Sequence, residues 1–85
     1  MTVLVTGGAG FIGSNFIFYW MKNHPGDKVI CLDKLTYAGN LSTLKAAMDE
    51  PDFRFVKGDI CDKNLVFDLF RAEHPEVVVN FAAET

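Results

Sequence analysis

The sequence predicts an α/β fold, the N-terminal half of a doubly wound parallel sheet with strand order 3-2-1-4. Three observations predict it. Short apolar runs alternate with helical patterns along all 85 residues. A glycine-rich turn lies between the first apolar run and the first helix, within residues 3–13. Asp33 follows Gly13 by 20 residues, at the end of the next apolar run. Together they form the pattern of a dinucleotide-binding βαβ unit.

The glycines of the turn have distinct predicted roles. Gly7 allows a tight turn after the strand, Gly10 lets backbone approach a pyrophosphate, and Gly13 lets the helix pack against the strand. The run fits two motif spacings. Gly8, Gly10 and Gly13 fit G-x-G-x-x-G, whereas Gly7, Gly10 and Gly13, with Thr6 in front, fit T-G-x-x-G-x-x-G. The unpaired N–H groups and the dipole of the following helix then make an anion site. The alternative is a glycine-rich turn that binds no ligand.

Four apolar runs predict strands, at residues 2–6, 29–32, 53–56 and 76–81. The first, second and fourth are continuously apolar, as expected when helices cover both faces of a parallel sheet. The third alternates, with Phe53 and Phe55 against Arg54 and Lys57, which suits an edge strand. Right-handed crossovers then give the order 3-2-1-4. The fourth strand leaves an apolar edge, so we expect a longer parent protein and self-association of this chain through that strand.

Three helices connect these strands. The first is predicted over residues 11–23, with Ile12, Phe16 and Trp20 on one face. Asn40 is the predicted N-cap of the second helix. Asp62 is the predicted N-cap of the third. The predicted apolar positions of the two later helices are Leu41, Leu44 and Met48, followed by Leu65, Val66, Leu69 and Phe70.

The composition argues against several kinds of partner. A net charge of −3 with scattered basic residues disfavours nucleic acid. The most apolar helix is too short to cross a bilayer, and Thr2 runs directly into the first strand without a leader, so we expect no membrane partner and a cytoplasmic location. Cys31 and Cys61 lack metal-ligand spacing, and neither His24 nor His74 has a nearby partner, so no metal site is expected. Cys31 is expected to be a buried, inert thiol.

Residues 6–13 resemble the corresponding motif of the extended short-chain dehydrogenase/reductase family, whose members act mostly on nucleotide sugars. Residues 32–40, 56–62 and 80–85 are similar to segments of the dTDP-glucose 4,6-dehydratases within that family. Histidine is more usual there at the position of Asn80. The resemblance extends over essentially the whole chain and implies a partial Rossmann domain, residues 1–85, that binds NAD.

The resemblance also implies individual cofactor contacts. Backbone N–H groups of Phe11 and Ile12 would meet the pyrophosphate, and Asp33 would accept hydrogen bonds from the adenosine ribose. Thr85 would stand near the sugar substrate. The other implied contacts are Lys34, Leu35 and Thr36 around that ribose, Asp59 and Ile60 beside the adenine, and Phe81, Ala82, Ala83 and Glu84 along the diphosphate and nicotinamide half.

Several of these residues have simpler interpretations. Asp59 and Asp62 could be turn and cap residues, and Phe81 could serve the core alone. A carboxylate at the end of an apolar strand, 20 residues after Gly13, has few structural roles. The charge of Asp33 would also repel the 2′-phosphate of NADP, which favours NAD as the cofactor. Lys34 could partly offset that repulsion.

The resemblance implies a parent enzyme, a homodimer, in which NAD oxidises the sugar at C4, water leaves across C5 and C6, and hydride returns to C6. That chemistry needs a Tyr-x-x-x-Lys pair and an acid pair. Neither Tyr19 nor Tyr37 has lysine four residues later, so this chain contains no predicted catalytic residue and is expected to be inactive alone. Two alternatives stay open, a nucleotide-sugar 4-epimerase of the same family and a non-catalytic NAD-binding module.

Overall fold

The computed structural model describes residues 1–8, 10–34 and 44–81. Its elements, in chain order, are β1 (Thr2–Thr6), α1 (Phe11–Asn23), β2 (Lys28–Asp33), α2 (Lys45–Met48), β3 (Phe53–Lys57), α3 (Lys63–Glu73) and β4 (Val77–Asn80). The strands form one parallel sheet in the order β3-β2-β1-β4, which confirms the predicted topology. The bounds of β1 and α1 are the predicted ones, and those of β2, β3 and β4 differ from the prediction by one residue at one or both ends. Asn40 and Leu41, predicted to start α2, lie outside the described residues.

Helices pack on both faces of the sheet. Side chains of a strand alternate between faces, so the continuous apolar runs of β1 and β2 supply two cores. On one face, Ile17 of α1 and Ala47 of α2 join a cluster with the strand residues Val3, Val5, Val29 and Cys31. On the other face, Leu69 of α3 packs with Leu4, Ile30 and Leu32. The sheet therefore holds α1 on one side and α3 on the other.

Three residues expected on the buried faces of helices are exposed. Ile12 of α1 is 67% exposed, Met48 of α2 is 45% exposed, and Phe70 of α3 is 39% exposed. Successive helical residues are rotated by about 100°. Gly13 and Ile17 face the sheet in α1, which turns Ile12 away, and Leu69 faces it in α3, which turns Phe70 toward the rim. In α2 the buried residue is Ala47, which turns Met48 away. The predicted apolar faces were therefore wrong at these three positions.

Glu73, the last residue of α3, ties that helix to the sheet. Its carboxylate accepts a hydrogen bond from Lys28 Nζ at 2.5 Å and also pairs with Arg54, so one side chain connects α3 to β2 and β3. The side chain is 10% exposed, whereas both cations are about half exposed. The hydrogen bond from Lys28 lowers the pKa of the Glu73 carboxyl, with a further contribution from Arg54.

The Glu73 network predicts an acid-dependent loss of stability. A carboxyl whose pKa is lower in the folded state stabilises the fold above its unfolded pKa of about 4.3, and that contribution disappears as the pH falls through the folded pKa. We expect Glu73→Gln to lower the free energy of unfolding at pH 7 and to flatten its decline below about pH 4.3. Urea unfolding from pH 7 to pH 3 measures both effects. Glu50→Gln, a control at an exposed glutamate, should keep the steep decline. A Glu73→Gln profile parallel to that of the unaltered chain would contradict this role.

The outer edge of β4 is the surface through which we propose that the chain self-associates. Among the described strands, β4 pairs only with β1. Val78 is 47% exposed, and Phe67 of α3 is 65% exposed. An apolar strand with an open edge invites pairing with a second copy, and lysine on such a strand opposes it. We expect light scattering at high concentration to give a mass above that of a monomer and Val78→Lys to reduce it. Tyr19→Lys adds the same charge on α1 and should leave association intact. A monomeric unaltered chain would contradict the proposal.

Candidate dinucleotide site

The carboxyl ends of the four parallel strands bring those predicted site residues that the structure describes to one edge of the sheet. The segments that follow the strands are joined there by backbone hydrogen bonds, from Gly7 N–H to Leu32 C=O (2.9 Å), from Gly58 N–H to Asp33 C=O (3.0 Å) and from Phe81 N–H to Thr6 C=O (2.8 Å). This edge, next to the point where the chain order reverses between β1 and β4, is where open α/β sheets bind ligands.

The glycine turn after β1 has the geometry that its sequence predicts. Gly7 has a φ of 72°, in the left-handed region that favours glycine. Gly10 is the N-cap of α1 in an extended conformation, and its N–H donates to the Gly7 carbonyl at 3.3 Å. A Cβ added to Gly13 would lie 2.5 Å from the Gly7 carbonyl oxygen, so only glycine allows α1 to approach the turn this closely.

Gly8 also lies in a tightly packed position, a role that was not predicted. A Cβ there would lie 2.6 Å from both the Sγ of Cys31 and the Cδ1 of Ile17. Gly8 therefore lets the turn pack closely against Cys31 of β2 and Ile17 of α1. The signal in the sequence was the second glycine spacing, in which Gly8 replaces Gly7 as the first member.

The start of α1 presents backbone donors at the surface. The first N–H groups of a helix have no partner within the helix, and here Gly10 brings no side-chain hydrogen bond to cap them. The first turn carries no acidic residue. Phe11 is 81% exposed and Ile12 is 67% exposed, so neither side chain is needed in the core that the structure describes. Unpaired donors and the positive end of the helix dipole suit an anionic group such as a pyrophosphate.

Acidic and basic side chains gather where β2 and β3 end. Asp33, the last residue of β2, is half-buried, and Lys34 follows it at the surface. Lys34 Nζ lies 3.6 Å from Asp59 Oδ2, and Asp59 Oδ1 accepts a hydrogen bond from the Cys61 N–H at 2.8 Å. The Cys61 N–H is the main cause of the lowered pKa of Asp59, and Lys34 lowers it further. Asp59 thus has the turn role that its simpler interpretation predicted, and half-buried Ile60 follows it.

The end of β4 supports the simpler interpretation of Phe81. Its ring lies 5.5 Å from that of Phe16, and it packs against the core cluster beneath α1. Thr6, which is buried, donates a hydrogen bond from Oγ1 to Asn80 Oδ1 across β1 and β4. Six residues predicted to contact cofactor or substrate lie outside the described residues: Leu35, Thr36, Ala82, Ala83, Glu84 and Thr85.

The remaining polar candidates make contacts that stabilise the fold. Cys31 is buried as predicted, and burial raises the pKa of its thiol to about 12, with Asp33 adding to the effect. The His24 ring stacks on Trp20 at 4.0 Å, and Asp62 caps α3 by accepting from the Leu65 N–H. The described part of the chain contains no group of three metal-ligating side chains. None of the helices described is both long and apolar enough to cross a membrane.

A pocket of about 330 Å³ lies at the opposite end of the sheet, between the end of α1 and α2. Met21 and His24 line one side of it, and Glu50 lines the other. It is remote from the glycine turn because it adjoins the segment that precedes β2, at the amino end of that strand. The pocket therefore does not belong to the dinucleotide site.

Known proteins match this chain over nearly its whole length. Residues 4–85 match the family model described as GDP-mannose 4,6 dehydratase. The chain is 55% identical over 85 residues to the low-salt glycan biosynthesis protein Agl12 of Haloferax volcanii, covering 100% of this chain and 26% of that protein. The chain thus spans about a quarter of the length of such relatives.

Two solved structures share its fold closely. The crystal structure of dTDP-glucose 4,6-dehydratase from Bacillus anthracis in complex with NAD has a TM-score of 0.96 at 48% identity, over 99% of this chain and 27% of that one. The crystal structure of UDP-glucose 4-epimerase from Thermotoga maritima with UDP-glucose has a TM-score of 0.83 at 34% identity, over 100% of this chain and 25% of that one.

Proposed function

Because the chain belongs to the GDP-mannose 4,6-dehydratase family, we propose that it binds NAD at the carboxyl edge of its sheet. The observation that carries this proposal is the placement of Asp33 at the same edge as the glycine turn and the uncapped start of α1. An anion site and a carboxylate on adjacent parallel strands suit the pyrophosphate and the adenosine ribose of one dinucleotide. The NAD-bound structure of the Bacillus anthracis relative supports the assignment of this cofactor.

In this proposal each part of the site has one task. The N–H groups of Phe11 and Ile12 bind the pyrophosphate, with Gly7, Gly10 and Gly13 shaping the approach. Asp33 accepts hydrogen bonds from the ribose hydroxyls and repels a 2′-phosphate, so NAD binds in preference to NADP. The further proposed contacts are Lys34, Leu35 and Thr36 at the ribose, Asp59 and Ile60 at the adenine, and Phe81, Ala82, Ala83 and Glu84 along the nicotinamide half.

We propose that the parent protein is a nucleotide-sugar 4,6-dehydratase that converts dTDP-glucose to dTDP-4-keto-6-deoxyglucose as a cytoplasmic homodimer. NAD, when bound, supplies the hydride acceptor for oxidation at C4 and returns the hydride at C6. Thr85 would lie beside the sugar. The 48% identity with a dehydratase, against 34% with an epimerase, favours dehydration. The epimerase match still makes 4-epimerisation the second candidate, and a non-catalytic NAD-binding module is the third.

In all three cases, residues 1–85 form part or all of an NAD-binding domain that lacks the catalytic pair. Neither tyrosine of this chain is followed by a lysine four residues later, so we expect no turnover from the chain itself. Downstream Tyr-x-x-x-Lys and acidic residues separate the candidates, because elimination needs the acid pair and epimerisation does not.

Calorimetric titration tests the proposal directly. We expect saturable binding of NAD to the chain, much weaker binding of NADP, and no 4-keto product when dTDP-glucose is added with NAD. Circular dichroism must show that the chain is folded in the same buffer. Absence of NAD binding by a folded chain would contradict the binding proposal, and product formation would contradict the proposed absence of a catalytic group.

A further inference from the structure

Lys34 is placed where a basic residue could accept NADP. It directly follows Asp33, the residue proposed to read the ribose, and residues 35–43 contain no basic side chain. The other cations of this edge are Lys57, the register partner of Asp33 at the end of β3, and Lys63 at the start of α3. A 2′-phosphate is recognised through charge-assisted hydrogen bonds, which lysine can donate. Lys34 therefore opposes the preference that Asp33 would impose.

In the structure, Lys34 forms an ion pair with Asp59. Its Nζ lies 3.6 Å from Asp59 Oδ2, across the ends of β2 and β3. The second oxygen of Asp59 accepts the Cys61 N–H at 2.8 Å, which fixes the direction of the carboxylate. Asp59 is thus held at the end of a turn with one oxygen toward the backbone and the other toward Lys34.

This ion pair has little value for stability. The side chains of Lys34 and Asp59 are 55% and 43% exposed, and pairs between such exposed groups contribute little to folding. Its effect is expected on an incoming phosphate instead, because Asp59 pairs with the ammonium group that directly follows Asp33 and offsets its positive charge. The effect on ligand choice can therefore be separated from any effect on the fold.

We propose that Asp59 is a specificity-determining residue that favours NAD over NADP by holding Lys34 in an ion pair and away from the 2′-phosphate. This inference rests on the proposed NAD site and deepens it. Asp59 acts on selection through Lys34, whereas any contact that it makes with the adenine is common to both cofactors. Removing its charge should therefore change the ratio of the two affinities and not merely their size.

Two mononucleotides isolate this effect. The probes are 5′-AMP and adenosine 2′,5′-bisphosphate, which differ only in the 2′-phosphate, and the readout is the ratio of their dissociation constants for the 85-residue chain. Asp59→Asn keeps an oxygen that can accept from the Cys61 N–H but removes the charge. We expect this variant to shift the ratio about tenfold toward the bisphosphate, the gain of about one charge-assisted hydrogen bond. Adding Lys34→Ala to Asp59→Asn should abolish the shift.

Asp62→Asn is the matched control. It removes the same charge three residues away, and asparagine caps a helix about as well as aspartate, so α3 should be unaffected. This control should change the ratio far less than Asp59→Asn. Equal shifts in the two variants, or an Asp59→Asn shift that survives Lys34→Ala, would overturn the assignment to the ion pair. An unchanged ratio in Asp59→Asn would overturn the specificity role of Asp59 and leave the NAD site proposal standing. No binding of either nucleotide by the folded chain would contradict the NAD site itself.

Discussion

Gly13→Ala is expected to lower the free energy of unfolding by about 1 to 3 kcal/mol, the usual cost of forcing an added carbon into a packed site. The added Cβ would lie 2.5 Å from the Gly7 carbonyl oxygen and 2.8 Å from the Gly8 Cα, both of which are backbone atoms that cannot rotate away. Helix propensity alone would favour alanine by about 1 kcal/mol, so a loss of stability identifies the close contact as its cause. Urea unfolding measures the loss, and NAD affinity should fall with it.

Gly10→Ala is the matched control for that variant. Its added Cβ has ordinary contacts, the nearest being the Gly7 carbonyl oxygen at 3.6 Å, and Gly10 has a negative φ that alanine adopts. We expect its stability to stay within about 0.5 kcal/mol of the unaltered chain. NAD binding should still weaken, because the Cβ lies where the pyrophosphate approaches. Gly13→Ala without loss of stability would contradict the packing role of Gly13, and full NAD binding by Gly10→Ala would contradict the approach role of Gly10.

Asp33→Ala is expected to weaken NAD binding about 10- to 100-fold, the loss that follows when a hydrogen bond to a charged group is removed. The Asp33 carboxylate lies at the end of β2. The residue before it, Leu32, accepts a backbone hydrogen bond from the Gly7 N–H of the glycine turn, so the turn lies next to Asp33. NADP should lose much less affinity, because the same substitution removes a repulsion of its 2′-phosphate. Calorimetric titration with both cofactors measures the two changes.

Asp52→Ala controls for the change in charge. Asp52 is an exposed aspartate that precedes β3 at the amino edge of the sheet, where its backbone carbonyl accepts the Val29 N–H. Removing this side chain changes the net charge by the same amount at the other end of the strands. The control should bind NAD as the unaltered chain does. Equal losses in Asp33→Ala and Asp52→Ala would show that net charge, and not a ribose contact, governs affinity.

The order of the sheet could be predicted because it depends on patterns that β1, β2 and β3 carry. The continuous apolar run of β4 was misleading, since Val78 on that strand is 47% exposed. Continuous apolar runs identified β1 and β2 as covered on both faces, and the alternation of Phe53 and Phe55 with charged residues placed β3 at an edge. The N-cap role of Asp62 was equally local, since the cap and the N–H that it binds are three residues apart. Such features need no knowledge of distant contacts.

The features that were missed depend on contacts between distant elements. The exposure of Ile12 follows from the approach of Gly13 to the turn, which rotates the helix face, and spacing along α1 does not reveal that rotation. The pair between Lys34 and Asp59 joins two strand ends that are 25 residues apart in sequence, so only the sheet register brings them together. The ion pairs of Glu73 with Lys28 and Arg54 also join elements that are distant in sequence, so spacing along the chain does not reveal them.

The meeting of Gly7 and Asp33 at one edge of the sheet was predictable for a related reason. Parallel strands bring their carboxyl ends to a common edge, so identifying Gly7 and Asp33 as strand-end residues was enough to place them together. Residues 35, 36 and 82–85, which belong to the proposed site, lie outside the described residues.

Amide chemical shifts recorded during an NAD titration test the central claim most directly. If NAD binds at the carboxyl edge, the largest changes will occur at the N–H groups of Phe11, Ile12 and Gly13, with further changes around Asp33 and Asp59. Residues of the opposite pocket, such as Met21 and Glu50, should shift little. Changes concentrated in that pocket, or none on a folded chain at saturating NAD, would contradict the account.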